Sequence, residues 1–230
     1  MGLPDDMTSA AQNSFSELYS AYAAGCIDPA FALMLETQSL MRADVRASVA
    51  LSEMIAGNFL ETAPAARMSA GALDRALAAI DALDAPQERQ RAAGQAAGDA
   101  LNEILSLPEP VRGAAIDAAG KQGWQMMGLG LKRLKLDVGS KMEVELYRIA
   151  AGSKIPRHSH GGNEYTMVLS GGFSDERGNY GPGDVCVNGP ADTHQPVADD
   201  DEVCYALAVR DGGLRFTGVL GMVQKLLGAH

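Results

Sequence analysis

The sequence is short of positive charge, aromatic residues and cysteine. Its 230 residues contain 19 Lys and Arg against 29 Asp and Glu, which gives a formal net charge of −10. Because nucleic-acid binding depends on neutralising phosphates with Lys and Arg, and no basic cluster interrupts the acidic surplus, we expect no direct contact with nucleic acid. The cysteines, Cys26, Cys186 and Cys204, are odd in number and far apart, which is typical of a reducing cytoplasm and not of a disulfide framework.

Long apolar runs are also missing. None approaches the roughly 18 residues that a membrane-spanning helix needs, so no membrane contact is predicted. The first residues, Met1–Asp6, are acidic and precede no apolar core, so no signal peptide is predicted. These absences together indicate a cytoplasmic protein. A hydrophobic fraction of 47% is ordinary for a globular protein, and the length allows one large or two small domains.

Composition changes sharply along the chain. Residues 8–120 are rich in Ala, Leu, Met, Glu, Gln and Arg, which favour helix, whereas residues 129–220 carry Val, Tyr, Thr and Phe in short runs between glycine-containing turns. We therefore predict an α+β chain: an N-terminal all-helical domain, then a β domain. The predicted bounds are 1–108 for the helical domain, 109–122 for a connecting helix or linker, and 123–230 for the β domain.

The helical part contains clear start and stop signals. Asp28 before Pro29 predicts an N-cap with proline at the first helical position, and one long helix is expected from there to about Leu60. An apolar stripe from Phe31 to Phe59 is expected to hold the helices together by apolar packing alone. Pro64–Met68 predicts a break. Further helices are predicted over Ser14–Ala24, from Ser69 and from Pro86.

The β part shows two informative patterns. Val203–Val209 is almost continuously apolar, which predicts a strand buried on both faces. Leu214–Leu227 is predicted to form a last strand and a short helix. Between Gly152 and Gly171 stand two of the four histidines, His158 and His160. Side chains two apart on a strand point to the same side, so these two imidazoles are expected to face one point.

Two further side chains complete a predicted metal site. Gly161 and Gly162 permit a sharp turn that brings Glu164 toward the two imidazoles, and His194 follows from a later strand. Three neutral imidazoles and a carboxylate are plausible ligands for one divalent metal, with Zn, Fe, Mn, Ni and Co all suited to the set. The alternative interpretation is a group of scattered surface histidines.

The same residues carry a family resemblance. Gly152 to Gly171 resembles the first cupin motif in full, and Gly183 to His194 resembles the second more loosely. The resemblance implies a double-sheet jelly-roll barrel whose metal ligands fall on His158, His160, Glu164 and His194. With the run Glu164–Tyr180, the ending Arg215–Gly221 and the helical half, nearly the whole chain resembles ChrR-type anti-sigma factors.

That family resemblance implies a partner and a signal. In ChrR-type proteins a helical domain holds a sigma factor inactive, and a zinc-binding cupin domain is needed for the response to singlet oxygen and related stress. The resemblance therefore favours zinc and a sigma-factor partner here. The family's second zinc site, in the helical domain, is expected to be missing, because Gln38, Arg42 and Val45 stand at the ligand positions and no histidine precedes His158.

Other interpretations of the site stay open at this point. An open coordination position beside the four ligands would suit a metal-dependent dioxygenase or isomerase, and a closed one would suit a purely structural metal. Tyr165, Tyr205 and Arg157 are candidates for substrate contacts, although packing or surface positions are more typical of such residues. Cys186 would respond to oxidation only if it lay close to the metal, and a lone strand cysteine is more often a small buried apolar residue.

Overall fold

The computed structural model describes residues 17–81, 103–128, 130–212 and 214–216. Helices precede strands, so the predicted α+β class is confirmed. The helices with defined bounds are α1 (Pro29–Met41), α2 (Ala43–Thr62) and α3 (Val111–Lys121); residues 17–23 and 72–81 are also helical. The start of the first predicted helix, the helix predicted from Pro86 and the helix predicted before Leu227 lie outside the described residues. The domain limits at 108 and 122 stay predictions.

Helix α1 begins where the sequence predicts and ends earlier than expected. Asp28 caps it, with Oδ1 accepting from the Ala30 amide at 2.8 Å. The prediction of one helix to Leu60 is wrong, because Arg42 is extended at φ −123° and ψ 120° and separates α1 from α2. The guanidinium of Arg42 donates to Asp184 Oδ1 at 2.7 Å in the β part, a distant polar contact that no helical pattern reveals.

The strands form three antiparallel sheets, and the largest contains six strands in the order β1-β2-β3-β11-β5-β8. The two smaller sheets have the orders β10-β6-β7 and β12-β4-β9. The strand bounds are β1 (Gln125–Gly128), β2 (Leu131–Lys135), β3 (Glu143–Ile149), β4 (His158–His160), β5 (Glu164–Ser170), β6 (Phe173–Asp175), β7 (Gly178–Tyr180), β8 (Val185–Asn188), β9 (Thr193–His194), β10 (Val197–Ala198), β11 (Cys204–Arg210) and β12 (Leu214–Phe216).

Strand β11 is buried along its whole length, as its apolar sequence predicts. Because side chains alternate, Leu207 and Val209 point to the outer face of the large sheet, while Ala206 and Ala208 point into the interior between the sheets. Each face joins a separate apolar core. β11 therefore connects the interior of the β part to the surface on which the helices lie.

The helices cover the outer face of the large sheet. Leu33 and Met34 of α1 and Ile116 of α3 join the same apolar core as Leu207. The predicted stripe is divided, because Val45 and Val49 of α2 form a separate cluster with Leu35 and neighbouring side chains. Beyond that cluster α2 leaves the protein surface, and Met54 is 67% exposed. The break at Arg42 accounts for this division, since it turns α2 out of the direction of α1.

Polar contacts join the helices to the sheet, in addition to the apolar packing predicted for the helical part. The buried Gln38 side chain donates to the Gly183 carbonyl at 2.9 Å. Arg148 Nε and the Tyr205 hydroxyl both donate to Glu103 Oε2, at 2.6 and 2.5 Å. Among the described residues no helix is long and apolar enough to cross a membrane.

We expect Glu103→Gln to reduce the stability of the protein at neutral pH but not at pH 2. The Arg148 and Tyr205 hydrogen bonds lower the pKa of Glu103 to about 2 in the folded protein. A carboxyl with a depressed folded pKa stabilises above its unfolded pKa of about 4.3, and this contribution is lost as the pH falls toward the folded value. Urea unfolding of both proteins from pH 7 to 2 tests this; a stability difference that is independent of pH would contradict it.

Candidate metal centre

The four predicted ligands come together at one end of the β part. His158 and His160 lie on β4 with Ser159 between them, so both imidazoles point to the same side. β4 pairs with β9 so that His158 is directly opposite His194. Glu164 begins β5, directly after the turn that contains Gly161 and Gly162. The sequence spacing and the strand pairing therefore produce the same cluster.

The donor atoms of this cluster converge. His194 Nε2 lies 3.1 Å from His158 Nε2 and 3.2 Å from His160 Nε2. Glu164 Oε2 lies 3.8 Å from His160 Nδ1. One donor atom from each of the four residues lies within 4.8 Å of the others, and all four side chains are buried. The set can hold one metal ion, and its members are the four predicted residues.

Hydrogen bonds behind the rings fix which nitrogen faces the cluster. His158 Nδ1 is 2.9 Å from the Pro156 carbonyl and His194 Nδ1 is 3.0 Å from Asp175 Oδ2. Both oxygens accept, so in the neutral rings the proton lies on Nδ1 and the lone pair on Nε2. Two lone pairs then face each other across 3.1 Å. This arrangement is unfavourable alone and fits a cation between them.

Burial keeps the His158 and His160 imidazoles neutral, the protonation state that binds a metal. Removal from water lowers the pKa of His158 to about 4, although the hydrogen bond to the Pro156 carbonyl opposes this shift. Burial also lowers the pKa of His160 to about 4. Both rings are therefore neutral at pH 7. Within the described part of the chain, no hydrogen-bond partner lies within reach of the buried His160 Nδ1. Neutral imidazoles are the form that a metal site requires.

A buried ion network lies directly behind Glu164. Arg210 Nη1 is 3.5 Å from Glu164 Oε2, and Thr166 Oγ1 donates to Glu164 Oε1 at 3.2 Å. Arg210 also donates to Glu145 Oε2 at 2.6 Å and to the Tyr147 hydroxyl at 2.9 Å. Sequence reasoning missed Arg210, Glu145 and Asp175. No spacing rule marks them, because each lies on a different strand from the ligands that it supports.

The remaining sequence candidates are not members of the cluster. Tyr165 packs edge-to-face on Phe31 of α1, with ring centroids 4.9 Å apart. Tyr205 donates to Glu103 on the outer face, and Arg157 pairs with Glu176 at 2.5 Å. None of these candidates takes part in the cluster of four, and their contacts are those of packing and surface residues.

Cys186 lies near the cluster without entering it. Its Sγ is 3.7 Å from Asp175 Oδ2 and accepts from Asn188 Nδ2 at 3.3 Å. With Asp175 and His194 it forms a second group of possible ligand atoms, which shares His194 with the first. Burial raises the pKa of the Cys186 thiol, so the thiolate, the reactive form, is disfavoured. The interpretation of Cys186 as a small buried side chain fits this environment better than a redox role.

An apolar pocket opens onto the cluster. His158, Glu164 and His194 lie at one side of it. Aliphatic and aromatic side chains form most of the remaining wall: Met127, Leu131, Ile149, Ile155, Phe173 and Ala206. The interior side chains of β11 are small alanines, and this leaves space between the sheets.

Comparison with known proteins gives consistent matches. Residues 113–211 match the family model described as the ChrR cupin-like domain. The anti-sigma-E factor ChrR of Cereibacter sphaeroides is 32% identical over 205 residues, which cover 88% of this chain and 91% of that protein. In the crystal structure of Rhodobacter sphaeroides SigE in complex with the anti-sigma ChrR, one chain aligns with a TM-score of 0.63 and 27% identity. The alignment covers 85% of this chain and 96% of that one.

Proposed function

Because the chain belongs to the ChrR family of anti-sigma factors, we propose that it binds a sigma factor through its helical N-terminal part and holds it inactive. The observation that carries this proposal is the extent of the similarity. Sequence identity to a ChrR protein runs through both the helical and the β parts of the chain. A chain that shared only the cupin fold would match in the β part alone.

Helix α2 offers an apolar surface for such a partner. Beyond Val49, its apolar side chains lie in solvent: Met54 is 67% exposed, Phe59 is 73% exposed and Leu60 is 77% exposed. Several exposed large apolar side chains on one helix are typical of a protein–protein interface. The helical segment 72–81 adds exposed Leu73, Leu77 and Ile80. We therefore place the sigma-factor interface on α2 and this segment.

The helices reach this arrangement without the family's usual zinc ligands. Of the three residues at those positions, Val45 packs with Leu35 and Val49 in an apolar cluster. Gln38 and Arg42 instead bind the turn at Gly183 and Asp184. Hydrophobic packing and two polar contacts to the β part thus take the structural place that a zinc ion would fill.

We further propose that His158, His160, Glu164 and His194 hold a single zinc ion and that the β part senses oxidative or related stress in the cytoplasm. The convergence of three imidazole nitrogens and a carboxylate supports a metal, and the set suits zinc. A bound ion would supply a Lewis-acid centre and a tie between β4, β5 and β9. Asp175 would orient His194, and Arg210 would orient Glu164.

Met54→Asp is expected to weaken the complex with the sigma factor at least tenfold. A charge at this position would have to be buried in the apolar interface that we propose. The full chain and a native sigma factor of the same organism would be co-expressed and purified together, and affinity would be measured by calorimetry. Met126→Asp is the matched control, because Met126 lies on β1 and is 65% exposed, close to the 67% of Met54.

The control variant should retain wild-type affinity. Equal weakening by both substitutions would show that added negative charge, and not the α2 surface, affects binding. If the wild-type chain forms no complex with any native sigma factor, the proposed function is wrong, whatever the metal content of the protein.

A further inference from the structure

The pocket beside the cluster is built for a particular kind of ligand. Its lining is mostly apolar, and the polar side chains in it are Tyr147, Thr166 and three of the proposed ligands, His158, Glu164 and His194. Ala206 faces it from the centre of the large sheet, where a larger side chain would fill the space. The inner face of β11 is thus small where the pocket is and polar, at Arg210, where the ion network is.

The polar groups that line the pocket are already committed to other partners. The Tyr147 hydroxyl donates to Glu145 Oε2 at 2.5 Å and accepts from Arg210. The Thr166 hydroxyl donates to Glu164 at 3.2 Å. His158 and His194 use their Nδ1 atoms on Pro156 and Asp175.

A polyhydroxylated or multiply charged molecule would have to enter this wall with its polar groups unpaired, which is costly. An apolar group has no hydrogen bonds to lose in this pocket, and its burial away from water is favourable. Because the hydroxyls of Tyr147 and Thr166 already have partners among the described residues, the position of the proposed metal is the best place in the pocket for a polar head.

We propose that this pocket binds a small apolar molecule with one oxygen-donor head, of the class of short aliphatic carboxylates, with the head at the metal position. The inference rests on the proposed metal centre and is independent of sigma-factor binding. The β part would then contain a ligand site that is apolar along its length and polar at the metal position. A ligand there would contact β1, β3, β4 and β11 together, and β11 also forms part of the sheet face that the helices cover.

The test uses the full chain, both metal-free and loaded with Co(II), whose visible absorption reports on the ligands. Hexanoate, acetate and adipate would be titrated by calorimetry and absorption. Each buried methylene is worth about fourfold in affinity, so hexanoate should bind the Co(II) protein at least ~10-fold more tightly than acetate. Adipate, which places a second carboxylate in the apolar wall, should lose this gain.

Two methionines at the rim provide matched variants. Met127 lines the pocket, whereas its neighbour Met126 lies outside it. Met127→Gln should weaken hexanoate about threefold to tenfold and leave acetate unchanged, while Met126→Gln should change neither. Both variants should take up Co(II) as the wild type does.

Three results would overturn the inference. Hexanoate binding no tighter than acetate would show that the apolar wall contributes nothing. Equal binding of hexanoate to the metal-free and the Co(II) protein would show that the head does not reach the metal. Failure to bind Co(II) would remove the metal centre and this inference together. None of these results would affect the sigma-factor complex, which is measured separately.

Discussion

Replacing Arg210 by methionine is expected to lower the free energy of unfolding by about 3–5 kcal/mol, because it removes the closest guanidinium partner of a buried carboxylate, Glu145. Arg210 is 3% exposed and Glu145 is 1% exposed, and Arg210 Nη2 lies 2.6 Å from Glu145 Oε2. Arg133 stays 3.2 Å from the other Glu145 oxygen and offsets part of the loss. Methionine preserves most of the side-chain volume, so the effect reports charge and not a cavity. Urea unfolding of metal-free protein at pH 7 measures it.

A surface pair and a double variant serve as controls. Arg112 pairs with Glu109 at 2.8 Å, but both side chains are more than a third exposed, so Arg112→Met should cost less than ~1 kcal/mol. Adding Glu145→Gln to Arg210→Met removes the stranded charge and should restore part of the stability. A loss below ~1 kcal/mol in Arg210→Met alone would contradict a paired, buried charge at this position.

The contrast between Arg210 and the histidines shows what sequence can reveal about this site. His158 and His160 lie on one strand, β4, so the period of the strand dictates their common direction, and Glu164 begins β5 just after the short turn that follows. Their proximity therefore follows from the sequence alone. Arg210 reaches the same place through strand order, since β11 lies beside β5 in the sheet although Cys204 comes 34 positions after Ser170. Pairing of that kind leaves no local pattern.

The helical half was less predictable for a related reason. The cap at Asp28 and the break after Thr62 are local signals, and both are present in the structure. At the break, the Arg42 guanidinium donates to Asp184, 142 residues away, and such a contact leaves no local pattern. In the sequence, the apolar stripe from Phe31 to Phe59 continues across that break, but in the structure its residues lie in three different environments. Phe31 lies on the sheet, Val45 in a separate cluster, and Met54 in solvent.

His194→Ala is expected to reduce metal affinity by more than ~100-fold, the upper end of what loss of an orienting residue alone costs. Its Nε2 lies within 3.2 Å of both other imidazole nitrogens, so its removal takes one donor from the centre of the set. His160→Ala should behave alike. Metal content would be measured by atomic emission after dialysis at pH 7. Full metal retention in both variants would show that the cluster is not the site.

Asp175→Asn separates ligation from orientation. Asp175 accepts from His194 Nδ1 at 3.0 Å and is not one of the four proposed ligands. An amide can present its NH₂ to that nitrogen and favour the opposite tautomer, so the metal affinity should fall about 10–100-fold without being abolished.

Unfolding with and without a chelator provides a second measurement. A ligand that binds only the folded state stabilises it by RT ln(1 + [L]/Kd), so a chelator should lower the unfolding midpoint of the wild type strongly. It should lower that of Asp175→Asn less, and that of His194→Ala not at all. If the midpoint of His194→Ala moved as much as the wild type's, the stabilising metal would have to lie elsewhere, and Asp175 would have no part in placing it.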